Sequence, residues 1–143
     1  EIGSGLVGSE MCIRDRSIEL RSEMKKLAEA RADRELSAQE ATSRIKSLLE
    51  GSRVEKMTDL DWSSLEEALD VTLPGFCTRL RALGLTEREY RVSLLARLDL
   101  GNKSISVLIG ASAHGVGMAR LRLSRRYGKG DRSADWDEFL RSL

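Results

Sequence analysis

The chain has 143 residues, of which 33% are charged and 4% aromatic, with one Pro and a formal net charge of +1. This composition favours helices that pack through aliphatic side chains, so we expect an all-α chain. No apolar run approaches the roughly 20 residues of a membrane-spanning helix, and two Cys cannot build a disulfide framework. Composition therefore argues against membrane-spanning and disulfide-rich proteins and leads us to expect a soluble protein.

Residues 1–16 show no helical or strand period. The stretch LVGSEMCIRDR, from Leu6 to Arg16, resembles a translated mosaic-end adapter of transposase-based sequencing libraries, and Glu1 and Ile2 fit the bases before the sample index. We therefore expect residues 1–16 to be a non-native, adapter-derived tail, with the native N-terminus lying upstream. Cys77 is then the only native Cys, which agrees with a cytoplasmic location; any membrane anchor of the parent protein would lie upstream.

Residues 17–51 are predicted to form a helical stalk. Apolar and small side chains alternate in steps of four and three from Leu20 to Leu48, as in a coiled-coil seam, but Arg31 and Arg34 lie on the seam. The letters SAQE form a capping box that can start a second helix at Ala38. The stalk would either transmit a signal or dimerise, or it would only pack on its own domain. The predicted helices cover residues 18–35 and 38–50, and the second ends at Gly51.

Residues 52–84 are predicted to be a helical lead-in. Ser63 and Glu66 have the spacing of a capping box, which predicts a helix over residues 64–72 with Trp62 packed at its entry. Pro74 and Gly84 bracket a second, shorter helix. The apolar residues of that shorter helix are assigned to the core: Phe76, Leu80 and Leu83.

Residues 85–143 contain the pattern of a helix-turn-helix followed by a closing helix. Thr86 and Glu89 cap a first helix, and the letters GAS separate two further helices predicted over residues 102–109 and 113–126. Val116 and Leu123 lie at helical spacing and are expected to point inward, which leaves an Arg-rich face outward. The apolar side chains of the closing helix would either be buried within the domain or contact a partner; they are Trp136, Phe139 and Leu140.

Charge supports a polyanionic partner for this segment. Residues 86–132 carry ten basic and four acidic side chains, a net charge of +6, so the remainder of the chain carries −5. A basic segment beside an acidic remainder is typical of nucleic-acid-binding proteins, although solvated helix faces are also commonly rich in Arg.

At these residues the sequence resembles the LuxR/GerE-type helix-turn-helix output domain of bacterial transcriptional regulators, which is related to the fourth region of sigma factors. The pattern LT-x-x-E-x-x-V, L-x-N-K-x-I and S-x-x-x-V with a basic tail is matched without a gap over about 45 residues. The resemblance implies an all-α bundle whose third helix enters the major groove of double-stranded DNA. The matching residues are Leu85, Thr86, Glu89, Val92, Leu100, Asn102, Lys103, Ile105, Ser112, Val116, Arg120, Arg122 and Arg125.

The resemblance also implies which residues contact DNA. Ser112 matches the residue that begins the third helix, and two further groups follow by position. Those implied at the phosphate backbone are Asn102, Lys103, Arg120, Arg122 and Arg125. Those implied at base edges are His114, Gly117, Met118 and Leu121. The sequence departs from the family where Gly115 and Gly117 replace polar residues, and Leu121 and Met118 offer methyl contacts without paired hydrogen bonds.

Two functional hypotheses remain open at this point. The first is a DNA-binding domain of a transcription regulator, which would act without cofactor or metal, dimerise through its N-terminal or C-terminal helix and contact RNA polymerase. The alternative is a degenerate helix-turn-helix that serves as a protein interaction or dimerisation module. No nucleophile lies beside a base and no set of metal ligands is spaced for binding, so we expect no enzyme activity.

Overall fold

The computed structural model describes residues 4–51 and 56–143, with side chains from residue 17 onward. Over these ranges the chain is helical without strands, which confirms the predicted all-α class. It divides into two compact units, Glu1–Thr72 and Leu73–Leu143. No helix in the described ranges has both the length and the apolarity that a membrane span requires. The helices are α1 Ser4–Ala32, α2 Ala38–Gly51, α3 Asp59–Thr72, α4 Phe76–Arg81, α5 Glu87–Arg97, α6 Asn102–Ile109, α7 Ala113–Arg126 and α8 Ser133–Ser142.

In the first unit α1 packs against both α2 and α3. Helix α1 begins at Ser4 and not at residue 18, and it ends before a left-handed backbone at Arg34, where φ is 62°. The predicted start of α2 is confirmed: Ser37 and Glu40 form the reciprocal capping hydrogen bonds at 3.0 and 3.1 Å. Ala41 and Ile45 of the predicted seam are buried, but the next buried residue lies four positions after Ile45, so Leu49 is buried in place of the predicted Leu48.

The capping residue of α3 differs from the prediction. The helix begins at Asp59, and the capping hydrogen bonds join Thr58 and Asp61, not Ser63 and Glu66. The spacing of Ser63 and Glu66 misplaced the start of the helix because spacing alone says nothing about burial. Asp61 is fully buried and also accepts a hydrogen bond from Ser17 of α1 at 3.0 Å, which fixes the earlier start.

The second unit contains α4 to α8. The predicted capping box of α5 is confirmed, since Thr86 and Glu89 exchange hydrogen bonds at 3.0 and 3.1 Å. Helix α5 is the centre of this unit and packs against α6, α7 and α8. Its buried residues run from Val92 to Ala96 without a break, as expected for a helix covered on several sides.

Helix α8 closes the second unit. Trp136 is fully buried, and its indole Nε1 donates a hydrogen bond to the Ser93 hydroxyl of α5 at 2.9 Å. Leu140 is also fully buried, whereas Phe139 is half-buried beneath the ammonium of Lys129. The apolar side of α8 is therefore used mainly within its own unit.

Candidate nucleic-acid interface

Helices α6 and α7 are joined by a three-residue turn over residues 110–112. Gly110 adopts a left-handed backbone with φ of 74°, which Gly tolerates best, and its N–H donates to the Ser106 carbonyl at 2.9 Å. Ser112 then caps α7, because its hydroxyl accepts a hydrogen bond from the backbone N–H of Gly115 at 2.9 Å. The structure thus contains the two helices and the tight turn that the sequence predicts.

The inward face of α7 anchors this helix in the unit. Val116 and Leu123 are each 1% exposed, which confirms the predicted inward orientation. Ile105 of α6 is also fully buried, and α6 and α7 pack against each other. In the last turn of α7, the Ser124 hydroxyl donates to the Gly130 carbonyl at 2.9 Å. These contacts fix which side of α7 remains outward.

Gly117 allows α6 and α7 to approach closely. A Cβ atom at this position would lie 3.0 Å from Nδ2 of Asn102, at the first residue of α6. The Asn102 side-chain oxygen accepts a hydrogen bond from Nη1 of Arg120, and Nη2 of Arg120 pairs with Asp137 of α8. One guanidinium therefore ties three helices together.

This arrangement corrects part of the predicted interface. Asn102 and Arg120 were expected at the phosphate backbone, but Arg120 is only 9% exposed, and both of its terminal nitrogens are bonded within the unit. Asp137 was missed altogether. It lies 17 residues after Arg120, and no helical period relates two residues on separate helices, so no signal in the sequence could have found the pair.

The remaining basic residues predicted at phosphates are exposed. Lys103 lies near the start of α6, and Arg122 and Arg125 lie in the second half of α7. The Nε of Arg125 is 3.8 Å from Oδ1 of Asp131, but the two side chains are 58% and 92% exposed, so the pair is weak. Exposed Ser112 and His114 lie at the opposite end of the helix.

A shallow hollow of about 400 Å³ lies along the outward face of α7. Its α7 residues are the four predicted at base edges together with Ala113, and it is completed by the start of α6 and by residues 131–133, which lead into α8. The structure therefore brings the predicted base-contacting group together at one surface. The other lining residues are Asn102, Asp131, Arg132 and Ser133.

Two acidic residues that pair with arginines of α7 have shifted pKa values. The guanidinium of Arg126 donates to both carboxylate oxygens of Glu89, at 2.9 and 3.2 Å, and these hydrogen bonds lower the pKa of Glu89. Burial raises the pKa of Asp137 more strongly than Arg120 lowers it. The Arg126–Glu89 pair therefore links α7 to α5. The raised pKa of Asp137 reflects the free energy needed to bury its charged form.

Among the side chains that the structure describes, in residues 17–51 and 56–143, no group of three or more His, Cys, Asp or Glu is arranged to hold a metal ion. Comparison with known proteins gave no match to a family model, to a curated protein or to a solved structure.

Proposed function

We propose that Leu73–Leu143 is the DNA-binding output domain of a LuxR/GerE-like transcription regulator, with α7 lying in the major groove. The observation that carries this proposal is the division of α7 into two faces. Val116 and Leu123 are buried, whereas Arg122 and Arg125 are exposed. An α-helix fits the width of the major groove, and flanking cations can then meet the phosphates on either side.

The number of exposed cations sets the expected salt dependence. Lys103, Arg122 and Arg125 are the predicted phosphate contacts that remain exposed, and each neutralised phosphate contributes about 0.9 to the slope of log affinity against log salt. Three contacts give a slope of about −2.7 per domain. Raising the salt concentration from about 50 to about 200 mM should then weaken binding about 40-fold.

Fluorescence anisotropy with a labelled duplex of about 20 base pairs, two helical turns, tests the proposal. Arg122→Ala and Arg125→Ala should each reduce the slope by about one, which leaves a salt effect of about 12-fold over the same range. Arg44→Ala is a matched control, since it removes an exposed Arg from α2 in the other unit and should leave the slope unchanged. Absence of duplex binding at low salt would overturn the proposal.

A second candidate is a protein interaction module built on the same scaffold. Met118 and Leu121 supply no hydrogen bonds at the outward centre of α7, and Val107 of α6 is 48% exposed. Salt-independent self-association measured by sedimentation, together with no duplex binding, would favour this module.

Under the first proposal the domain acts in the cytoplasm, and α1 to α3 relay an upstream signal or dimerise.

A further inference from the structure

The outward centre of α7 lacks the side chains that distinguish bases by paired hydrogen bonds. Arg and Lys recognise guanine, Asn and Gln recognise adenine, and Asp and Glu accept from cytosine. Along the hollow α7 instead presents Gly117, Met118 and Leu121, all partly exposed, with exposed His114 in its first turn. The exposed Arg residues of α7 lie further along the helix, at Arg122, Arg125 and Arg126, and Arg126 is paired with Glu89.

Packing explains why position 117 carries no side chain. A Cβ there would come within 3.0 Å of Asn102, whose oxygen is held by Arg120. Any side chain at this position would therefore press on the Asn102 amide, which would have to shift by a few tenths of an ångström. The tight packing of these two helices leaves Met118 and Leu121 as the larger side chains at the centre of the outward face.

These observations define the chemistry of a complementary surface. The only apolar group that base pairs present in the major groove is the C5 methyl of thymine. Met is flexible and polarisable, so Met118 can adapt to a methyl group whose position is not fixed in advance. The surrounding cations, Arg122, Arg125 and Lys103, favour a polyanion over an apolar protein partner.

We propose that Met118 and Leu121 recognise thymine methyl groups, so that the domain prefers duplexes with thymine at the centre of its site. This inference rests on the proposed DNA-binding function and adds the class of base contact. Each buried methyl should strengthen binding about fourfold, the effect expected when one methyl-sized group leaves water. Two methyls, one for each side chain, should give about 16-fold.

The experiment compares four duplexes of equal length by anisotropy at fixed low salt. The first contains alternating A·T pairs, and the second has deoxyuridine in place of thymidine, which removes the methyl but keeps every hydrogen-bonding edge. The third contains G·C pairs, and the fourth has 5-methylcytosine, which restores a methyl at the same place in the groove. The unmodified protein should favour the methylated member of each pair.

Variants assign the effect to the two side chains. Met118→Ala and Leu121→Ala should each reduce the preference for thymidine over deoxyuridine about fourfold or less. Val107→Ala, which truncates an exposed apolar residue of α6 outside the hollow, should leave the preference unchanged. Circular dichroism checks that each variant is folded.

The outcomes separate this inference from the proposal on which it rests. Salt-dependent binding with equal affinity for both members of each pair would overturn methyl recognition and keep the DNA-binding function. A methyl preference that survives both α7 substitutions would also overturn it, because the preference would then come from duplex shape. Absence of binding to all four duplexes would overturn the DNA-binding function and the inference together.

Discussion

Replacing Arg120 by Met removes the charge that links three helices while keeping most of the buried aliphatic volume. Arg120 and Asp137 have side chains only 11% and 17% exposed, so the pair belongs to the interior of the unit. The substitution leaves the Asp137 carboxylate buried without its cation and also removes the hydrogen bond to Asn102. We expect it to destabilise the second unit.

The magnitude follows from the cost of an unpaired buried charge. Breaking a buried ion pair typically costs about 3–5 kcal/mol. Burial already raises the pKa of Asp137, and this carboxyl can take up a proton more readily once Arg120 is gone. We therefore expect Arg120→Met to lower the free energy of unfolding by about 2–4 kcal/mol at neutral pH. The cost should shrink toward acidic pH, because a protonated Asp137 needs no counter-charge.

A double-mutant cycle isolates the pair. Arg120→Met, Asp137→Asn and the double variant are compared by urea unfolding, and the coupling free energy should be about 1–3 kcal/mol. Trp136 fluorescence in a Trp62→Phe background reports on the second unit alone, since each unit contains one of the two Trp residues.

The matched control uses the exposed pair of Arg125 and Asp131, which joins the same helix to the following loop. Arg125→Met and Asp131→Asn should each change stability by less than about 0.5 kcal/mol and should not couple. The reasoning is refuted if Arg120→Met costs less than about 1 kcal/mol or if its coupling to Asp137 is no larger than that of the exposed pair.

Three further predictions concern the packing of each unit. Glu89→Gln should lower the free energy of unfolding by less than about 1 kcal/mol at neutral pH, because Arg126 is half exposed. The pairing lowers the pKa of Glu89, so this difference between the variant and the unmodified protein should vanish as the pH falls through that lowered pKa. Asp61→Ala should cost about 2–3 kcal/mol by thermal unfolding, whereas Asp70→Ala, exposed on the same helix, should stay within about 0.5. Trp136→Phe should cost about 1–2 kcal/mol by urea unfolding, and no measurable cost would show that its hydrogen bond is dispensable.

Local sequence rules predicted most of the second unit. The capping box at Thr86, the turn at Gly110 and the inward spacing of Val116 and Leu123 are each set by residues within a few positions of one another. The same rules misplaced the start of α3 in the first unit, where Asp61 of the observed cap also accepts a hydrogen bond from Ser17, a contact that spans 44 residues.

By itself the sequence determined the helical class, the α6–turn–α7 segment and the exposed cations of α7, because helical period, caps and turn residues act over short distances. Only the tertiary structure decided that Arg120 is an internal link and that Gly117 marks a close helix contact. The roles of Arg120 and Gly117 both depend on contacts between helices that are distant in sequence. Arginines of one helix can therefore face water or pair inside the unit, depending on which residues pack beside them. The same packing leaves Met118 and Leu121 at the centre of the outward face.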